Sequence, residues 1–199
     1  MKFDFIVNIL LLIIIILIFY FYFLNHDSVH LKCIISNIDG MEYCVRRRKD
    51  EEKAADLLAN TINKCKKLVQ YMKEKYPDKE NVKRLVNGFK ETKIKETLPT
   101  SKFKAYSENK GKSLAFCLNV DGENDEHLID DNTLLFVALH EISHIMTVSI
   151  GHKDEFWDNF KFVLENAKEA GIHKPSDYKK NPKEYCGMKI TDNPYYDRI

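Results

Sequence analysis

The sequence has no Cys-x-x-Cys pair, little net charge and a single tryptophan. Its five cysteines are odd in number and widely spaced, which argues against a disulfide framework and against a cysteine-rich structural zinc site. Basic and acidic residues number 31 and 30, giving a formal net charge of +1. The chain therefore lacks the basic surface through which many proteins bind nucleic acid, and we expect no nucleic-acid partner.

The chain also lacks the composition of a disordered tail or a low-complexity repeat. Hydrophobic residues make up 44% and charged residues 31% of its 199 residues. This length and composition predict one folded domain of ordinary size with, at most, a short appendage.

One segment is apolar throughout. From Phe5 to Leu24 no charged residue occurs, and Asn8 is the only strongly polar side chain. A helix of this length spans a bilayer core of about 30 Å. A cleaved signal peptide would have a shorter apolar core and end at small residues, whereas this segment ends in the aromatic run Tyr20–Phe23. We therefore predict that residues 1–24 are a retained single-pass transmembrane anchor, with the side of the soluble domain left open.

Residues 25–45 contain a turn signal at Asn37, Asp39 and Gly40 and are interpreted as a linker or a short strand pair. A helical pattern then extends from Arg46 to Tyr76. Its apolar residues recur every three or four positions, namely Leu58, Ile62, Cys65, Val69, Met72 and Tyr76, which predicts one buried stripe. Pro77 ends this helix, and Asn81 is a possible cap for the next one.

The periodicity changes after residue 100. The runs Phe103–Tyr106 and Ser113–Val120 predict a β-hairpin, with His127–Ile129 a possible third strand. We therefore predict an α+β domain over 46–199 with a small antiparallel sheet. Its helical part is predicted at 46–98, and a second part at 101–199 contains the sheet and the helix that follows it. The strand Ser113–Val120 is expected to be an edge strand, which can receive an extended segment as an added strand.

A helix with a metal-ligand spacing follows. His140-Glu141-Ile142-Ser143-His144 is an H-E-x-x-H motif in an apolar run, preceded by four possible N-cap residues at 130–133. Residues four apart lie on one face of a helix, so the two imidazoles can bind a single zinc ion. Glu141 lies beside them and can serve as the general base for a zinc-bound water.

A catalytic zinc ion needs a third protein ligand and an open position for water. On a continuous helix His152 would lie about 12 Å beyond His144, but Gly151 permits the chain to reverse. We predict His152 as the third ligand. Glu165 is the competing candidate, although the apolar face of the next helix, about residues 154–170, places it on the opposite side. On that helix Trp157 is expected to be a core anchor.

The motif His140–His144 followed by Gly151-His152 and Phe156-Trp157 resembles the zincin metallopeptidases of the WLM and SprT-like kind. The apolar N-terminus and the tail 181–190 resemble small membrane-anchored zinc metallopeptidases predicted in large DNA viruses. The resemblance covers about residues 113–190 and implies a zincin fold, peptide-bond hydrolysis, a set of zinc ligands and a base. The ligands it implies are His140, His144 and His152, and the base is Glu141. WLM domains have a shorter interval before the third histidine.

Three residues after the helix at 154–170 are candidate donors to a developing oxyanion: His173, Tyr178 and Tyr185. Tyr185 is the first choice. The alternative function is a non-catalytic, membrane-tethered zinc-binding module, for which Glu141 would have no use as a base. The expected partners are a peptide or protein substrate and, through residues 5–24, a membrane.

The cysteines leave the redox compartment open. Cys65 and Cys117 lie in apolar runs and are expected to be buried free thiols. Cys33 and Cys44 are close enough in sequence to pair in an oxidising compartment.

Overall fold

The fold is described from a computed structural model, which covers residues 2–24, 31–121 and 127–196. The first helix, α1 (Lys2–Leu24), is followed by a mixed α+β domain. The side chains of residues 6–22 are exposed, while Met1, the side chains of 2–5 and 23–24, and the start of the predicted linker lie outside the described residues. Within the described residues, no helix combines the length and hydropathy required of a membrane span. The membrane anchor therefore stays a prediction from the sequence.

The domain contains a five-stranded mixed sheet. Its strands are β1 (Leu31–Ile35), β2 (Glu42–Arg46), β3 (Lys93–Glu96), β4 (Ala105–Glu108) and β5 (Ser113–Phe116). They are arranged in the order β1-β2-β3-β5-β4. The pairs β1–β2 and β4–β5 are antiparallel, and β3 runs parallel to both of its neighbours. The sheet is therefore mixed, and larger than the small antiparallel sheet that the sequence predicts, because β3 joins the two hairpins. Residues 31–46 thus form the strand pair that was one of the two interpretations of 25–45.

Two helices connect the β1–β2 hairpin to the rest of the sheet. They are α2 (Glu51–Lys75) and α3 (Glu80–Phe89). The predicted stripe on α2 is confirmed, because Leu58, Ile62, Cys65, Val69 and Met72 are buried. The helix begins later than the pattern suggested because Arg46 ends strand β2. Asn81 does not cap α3, since it lies inside the helix after Lys79 at the N-cap.

The helix with the H-E-x-x-H motif, α4 (Asp131–Met146), lies at the centre of the domain. It contacts α2, α3, the following helix α5 (Asp154–Glu169) and strand β4. Twelve of its side chains are buried, so neighbours on several sides hold it in place. A helix packed in this way gives its ligands a rigid support.

A second hairpin closes the fold. Strands β6 (Lys183–Tyr185) and β7 (Met188–Ile190) pair in antiparallel fashion. Cys186 and Gly187 in the turn both have positive φ, 50° and 74°, as a two-residue type I′ turn requires. The predicted third strand 127–129 is reduced to an isolated bridge between Leu128 and Asn119, with backbone hydrogen bonds from Val120 to His127 and from Ile129 to Leu118.

The expectation for Cys117 was wrong. Cys117 forms a disulfide with Cys186, 69 residues away along the chain, because the fold brings the turn of the β6–β7 hairpin beside the end of β5. Such a long-range pairing leaves no local signal in the sequence. Cys33 and Cys44 are directly opposite each other on β1 and β2 and form a second disulfide. Cys65 is a buried free thiol, as expected.

Candidate metal centre

The site begins with the capped N-terminus of α4. Asp130 precedes the helix, and its carboxylate accepts hydrogen bonds from the backbone N–H (2.9 Å) and the hydroxyl (2.7 Å) of Thr133. This is the N-cap geometry that satisfies orphan donors in the first turn. The cap fixes where the helix begins, and hence which of its residues face the cleft.

Three imidazoles meet at the cleft end of α4. His140 and His144 stand one turn apart with ring centroids 5.1 Å from each other. His152 approaches from the loop after the helix, 4.9 Å from the His140 ring and 5.0 Å from the His144 ring. One ligand nitrogen from each histidine lies within 4.8 Å of the other two. In the described part of the chain, no fourth His, Cys, Asp or Glu joins this group.

The loop 147–153 carries His152 back towards α4. Helix α4 ends at Met146, which is earlier than the turn predicted at Gly151. Gly151 has φ of +80°, a left-handed conformation that residues with a Cβ rarely adopt. The reversal expected at this glycine is therefore present.

Glu155 holds the start of this loop. Its carboxylate accepts hydrogen bonds from the backbone N–H groups of Val148 and Ser149, both at 2.9 Å. These two hydrogen bonds lower the pKa of Glu155 to about 2. Its position seven residues after Val148 gave no sign that it binds the loop backbone.

Further side chains brace the junction between α4 and the loop. Asn159 on α5 donates to the hydroxyl of Thr147 at 3.0 Å, and that hydroxyl donates to the carbonyl of Ser143. Arg84 donates to the carbonyl of Met146 at 2.8 Å, and Lys110 to that of Thr147 at 2.7 Å. Cations at the C-terminus of a helix satisfy its unpaired carbonyls. The end of α4 is thus tied to three other parts of the fold.

Aromatic rings support the three histidines. Phe156 is fully buried, stacks on His144 at 4.2 Å and lies 4.8 Å from His140 and 4.6 Å from His152. Trp157 lies 5.6 Å from His152. Trp157 was expected to be a core anchor, but it is only partly buried. Its position against the loop explains this difference.

Burial keeps the histidines neutral. Desolvation lowers the pKa of His140 to about 3, with repulsion from the other two histidines as a smaller cause. The pKa of His144 falls to about 4, also mainly through burial, and that of His152 is lowered for the same reason. A neutral imidazole is the form that binds a metal ion.

Glu141 lies beside the triad and is nearly buried, with 6% of its surface exposed. Burial raises its pKa to about 7. A carboxyl group with a pKa near neutrality is suited to exchange protons at physiological pH. Glu141 lines the same cleft as His140 and His152, so it faces the space beside the ligands.

The edge of the main sheet borders this cleft. Ala105, Tyr106 and Ser107 of β4 line it opposite His140 and Glu141. The expectation that Ser113–Val120 offers this edge was wrong, since β5 lies between β3 and β4. The hairpin itself was predicted correctly, but sequence periodicity does not tell which of its strands ends the sheet.

The other candidate residues lie in different surroundings. Tyr185 is buried, lines the cleft with His140 and Glu141, and donates to the carbonyl of Lys104 at 3.2 Å. Its pKa is raised, mainly by burial. His173 and Tyr178 pack on Phe136 with ring centroids 6.3 Å and 4.9 Å away, inside the core. Glu165 is exposed, as the helical pattern indicated.

The donor set fits zinc. Imidazole nitrogen is one of the preferred zinc ligands, and three protein ligands with one open position are typical of a catalytic site. The three neutral imidazoles, the cleft in front of them and the adjacent carboxyl group agree with this pattern. The triad is therefore compatible with zinc.

Comparison with known proteins finds viral relatives. The chain is 29% identical over 162 residues to the uncharacterized protein R325 of Acanthamoeba polyphaga mimivirus, an alignment that covers 79% of this chain and 81% of the relative. It is 34% identical over 83 residues to protein 136R of Invertebrate iridescent virus 6, covering 42% of this chain and 45% of that protein. Protein 042R of Invertebrate iridescent virus 3 is 39% identical over 59 residues, 30% of this chain and 36% of the relative. No protein-family model matches.

Among solved structures, the chain is similar to Wss1 from Saccharomyces cerevisiae, with a TM-score of 0.47 and 20% identity over 64% of this chain and 89% of the other. A mutant of the same protein gives a TM-score of 0.48 with 18% identity, covering 65% and 92%. A Wss1 mutant from S. pombe gives a TM-score of 0.42 with 17% identity, covering 62% and 92%.

Proposed function

We propose that this protein is a zinc-dependent metallopeptidase of the zincin type that hydrolyses peptide bonds. The observation that carries the proposal is the convergence of one nitrogen each from His140, His144 and His152 within 4.8 Å, beside the nearly buried carboxyl group of Glu141. Three ligands with an adjacent base match the requirement of a hydrolytic site better than that of a closed structural site.

Each residue has a defined role in this proposal. His140, His144 and His152 hold the metal ion as neutral imidazoles. A zinc ion bound there would supply a water of lowered pKa and polarise the scissile carbonyl. Glu141 accepts a proton from the attacking water and delivers it to the leaving amine. The exposed edge of β4 holds the substrate backbone as an added strand.

Tyr185 is the candidate donor to the oxygen of the scissile carbonyl. Its side chain lines the cleft with Glu141, and a tyrosine hydroxyl can stabilise developing negative charge. Its hydroxyl donates to Lys104, so it would have to exchange this partner for the substrate. If Tyr185→Phe keeps the full kcat, Tyr185 has no such role.

We extend the proposal to attachment at a membrane through α1. The support is the exposure of every side chain from 6 to 22, which leaves an apolar surface in water unless something covers it. Carbonate extraction of cell membranes tests this. We expect the full chain and the pair Ile13→Ala and Ile16→Ala to stay in the pellet, and the pair Ile13→Lys and Ile16→Lys to be released. Release of the unaltered chain would contradict the attachment.

The peptidase proposal is tested with the full chain purified in detergent. Metal content is measured by mass spectrometry, and cleavage is measured on an unfolded protein. Glu141→Gln should keep one zinc ion per chain and lose about 10²- to 10⁴-fold in rate, whereas His152→Ala should lose zinc. The matched controls are the exposed residues Glu165 and His127, as Glu165→Gln and His127→Ala, which should change neither property.

The same measurements decide against the proposal in two cases. A chain without zinc would remove the metal from the mechanism. A chain that binds zinc but cleaves no substrate would favour the alternative, a non-catalytic zinc-binding module.

A further inference from the structure

A second part of the cleft, the recess that Tyr185 lines, opens from the metal centre beside the β6–β7 hairpin. It has a volume of about 460 Å³ and includes His140, Glu141 and His152 in its wall. The rest of the lining is mainly apolar. Helices α4 and α5 contribute Phe136, Trp157 and Phe160, and the C-terminal segment contributes Met188, Ile190 and Pro194. We call this recess the hairpin pocket, because the β6–β7 hairpin forms one of its walls.

This wall is tied firmly to the main sheet. The disulfide between Cys186 and Cys117 joins the hairpin turn to the end of β5. The N–H groups of Cys186 and Gly187 donate to the carbonyls of Asn119 and Val120 at 2.9 and 3.0 Å. One covalent bond and two backbone hydrogen bonds therefore hold the turn, and the hairpin is positioned as a wall rather than as a loose tail.

The pocket wall contains apolar side chains that the fold leaves partly uncovered. Met188 is 49% exposed, and Trp157 and Ile190 are only partly buried. The lysines 102, 104 and 189 and Asp192 also line the pocket. An apolar wall with a few charged side chains, open towards the reactive groups, is typical of a site that binds an apolar group of the substrate.

The occupant follows from the continuity of the pocket with the catalytic groups. A peptide held along β4 with its scissile bond at His140 and Glu141 passes the mouth of the pocket, because the same two residues line both recesses. The substrate side chain next to the scissile bond then enters the hairpin pocket.

We infer that the hairpin pocket selects substrates with a large apolar side chain adjacent to the scissile bond, and that Met188 is a specificity-determining residue. This inference rests on the proposed peptidase function. Because even one methylene group in an apolar pocket changes selectivity by about 10-fold or more, phenylalanine or leucine at this position should be preferred over alanine by at least that factor in kcat/KM.

The kinetic test uses the full chain and two series of fluorogenic peptides. In one series the residue before the scissile bond is varied, and in the other series the residue after it is varied. In one series kcat/KM should be at least about 10-fold higher for phenylalanine than for alanine. Met188→Glu should reduce this ratio towards one without loss of zinc. Asn181→Glu adds the same charge at an exposed position outside the pocket and should leave the ratio unchanged. Equal kcat/KM for phenylalanine, alanine and aspartate in both series would overturn the inference.

A binding measurement separates failure of this inference from failure of the peptidase proposal. Trp157 is the only tryptophan of the chain and lines the pocket, so its fluorescence reports occupancy without catalysis. N-acetyl-phenylalanine amide should change the emission at a concentration at least about 10-fold below that of N-acetyl-alanine amide. If no peptide is cleaved but this selectivity is present, the result supports the pocket inference and contradicts the peptidase proposal. If the two amides act alike, the pocket inference is wrong.

Discussion

Nε2 of His152 lies 3.0 Å from Nε2 of His140, although twelve residues separate them in the chain. A helix continued through both would hold the two imidazoles far apart. The approach therefore depends on the loop 147–153 and on the side chains that bind its backbone.

Glu155→Gln is expected to weaken zinc binding about 10-fold, because a neutral amide accepts hydrogen bonds from Val148 and Ser149 less strongly than a carboxylate does. The dissociation constant is measured by competition with a chelator. Glu165→Gln, on the exposed face of the same helix, is the control. Equal zinc affinity in both variants would show that Glu155 does not position the loop.

Phe156→Ala is expected to weaken zinc binding and to lower the free energy of unfolding by about 3–5 kcal/mol, since it opens a cavity under the three imidazoles. Phe89 is also buried, at the end of α3, so Phe89→Ala is the matched control. Both variants should lose stability in urea denaturation, but only Phe156→Ala should lose zinc affinity. A similar loss of affinity in both would attribute the effect to general destabilisation.

The pKa of buried His173 is lowered to about 4, mainly by desolvation and to a smaller extent by Lys64. In the unfolded chain this group binds a proton near pH 6.5. The unfolded state therefore binds more protons than the folded state between about pH 4 and 6.5, and the free energy of unfolding decreases as the pH falls through this range. His173→Phe should make the free energy of unfolding less dependent on pH in this range.

This effect is measured as the urea midpoint of the metal-free chain at pH 7 and pH 4.5. His140 and His144 change the stability with pH in the same direction, and they are present in both chains. The difference between His173→Phe and the unaltered chain therefore reports on His173 alone. His127→Phe, at an exposed site, should keep the original slope. An unchanged slope in His173→Phe would mean that His173 is not held neutral in the folded state.

Replacement of both Cys117 and Cys186 by alanine is expected to lower the free energy of unfolding by about 4 kcal/mol, because the disulfide closes a loop of 69 residues. The same change at Cys33 and Cys44, 11 residues apart, should have a smaller effect, about 3 kcal/mol. Only the first pair should also reduce the selectivity of the hairpin pocket. If replacement of Cys33 and Cys44 reduced the selectivity as well, the effect would not come from the disulfide that holds the pocket wall.

Local patterns were sufficient for much of the fold. The apolar period of three and four residues located α2 and α5, and an apolar run after possible N-cap residues located α4. Short alternating or apolar runs located the β4–β5 hairpin. The H-E-x-x-H spacing placed His140 and His144 on one helical face. These features depend on residues close in the chain, whose relative positions follow from the geometry of a single element.

Other features required the tertiary structure. Strand β3 was not predicted, and its place between β2 and β5 follows from pairing with residues far away in the chain. Trp157 was expected to be a core anchor, and it packs against the buried core, but its position beside His152 leaves it partly exposed. The same loop is what brings His152 to the other ligands.

The sequence by itself determined two histidines of the candidate metal centre, the neighbouring carboxyl group and the helix that carries them, because the spacing of four residues is enough to define one face. Only the tertiary structure decided that β4 is the open edge, that Glu155 holds the loop and that Cys117 joins Cys186. These relationships connect residues far apart in the chain, and they arise from packing, which leaves no periodic trace in the order of the amino acids.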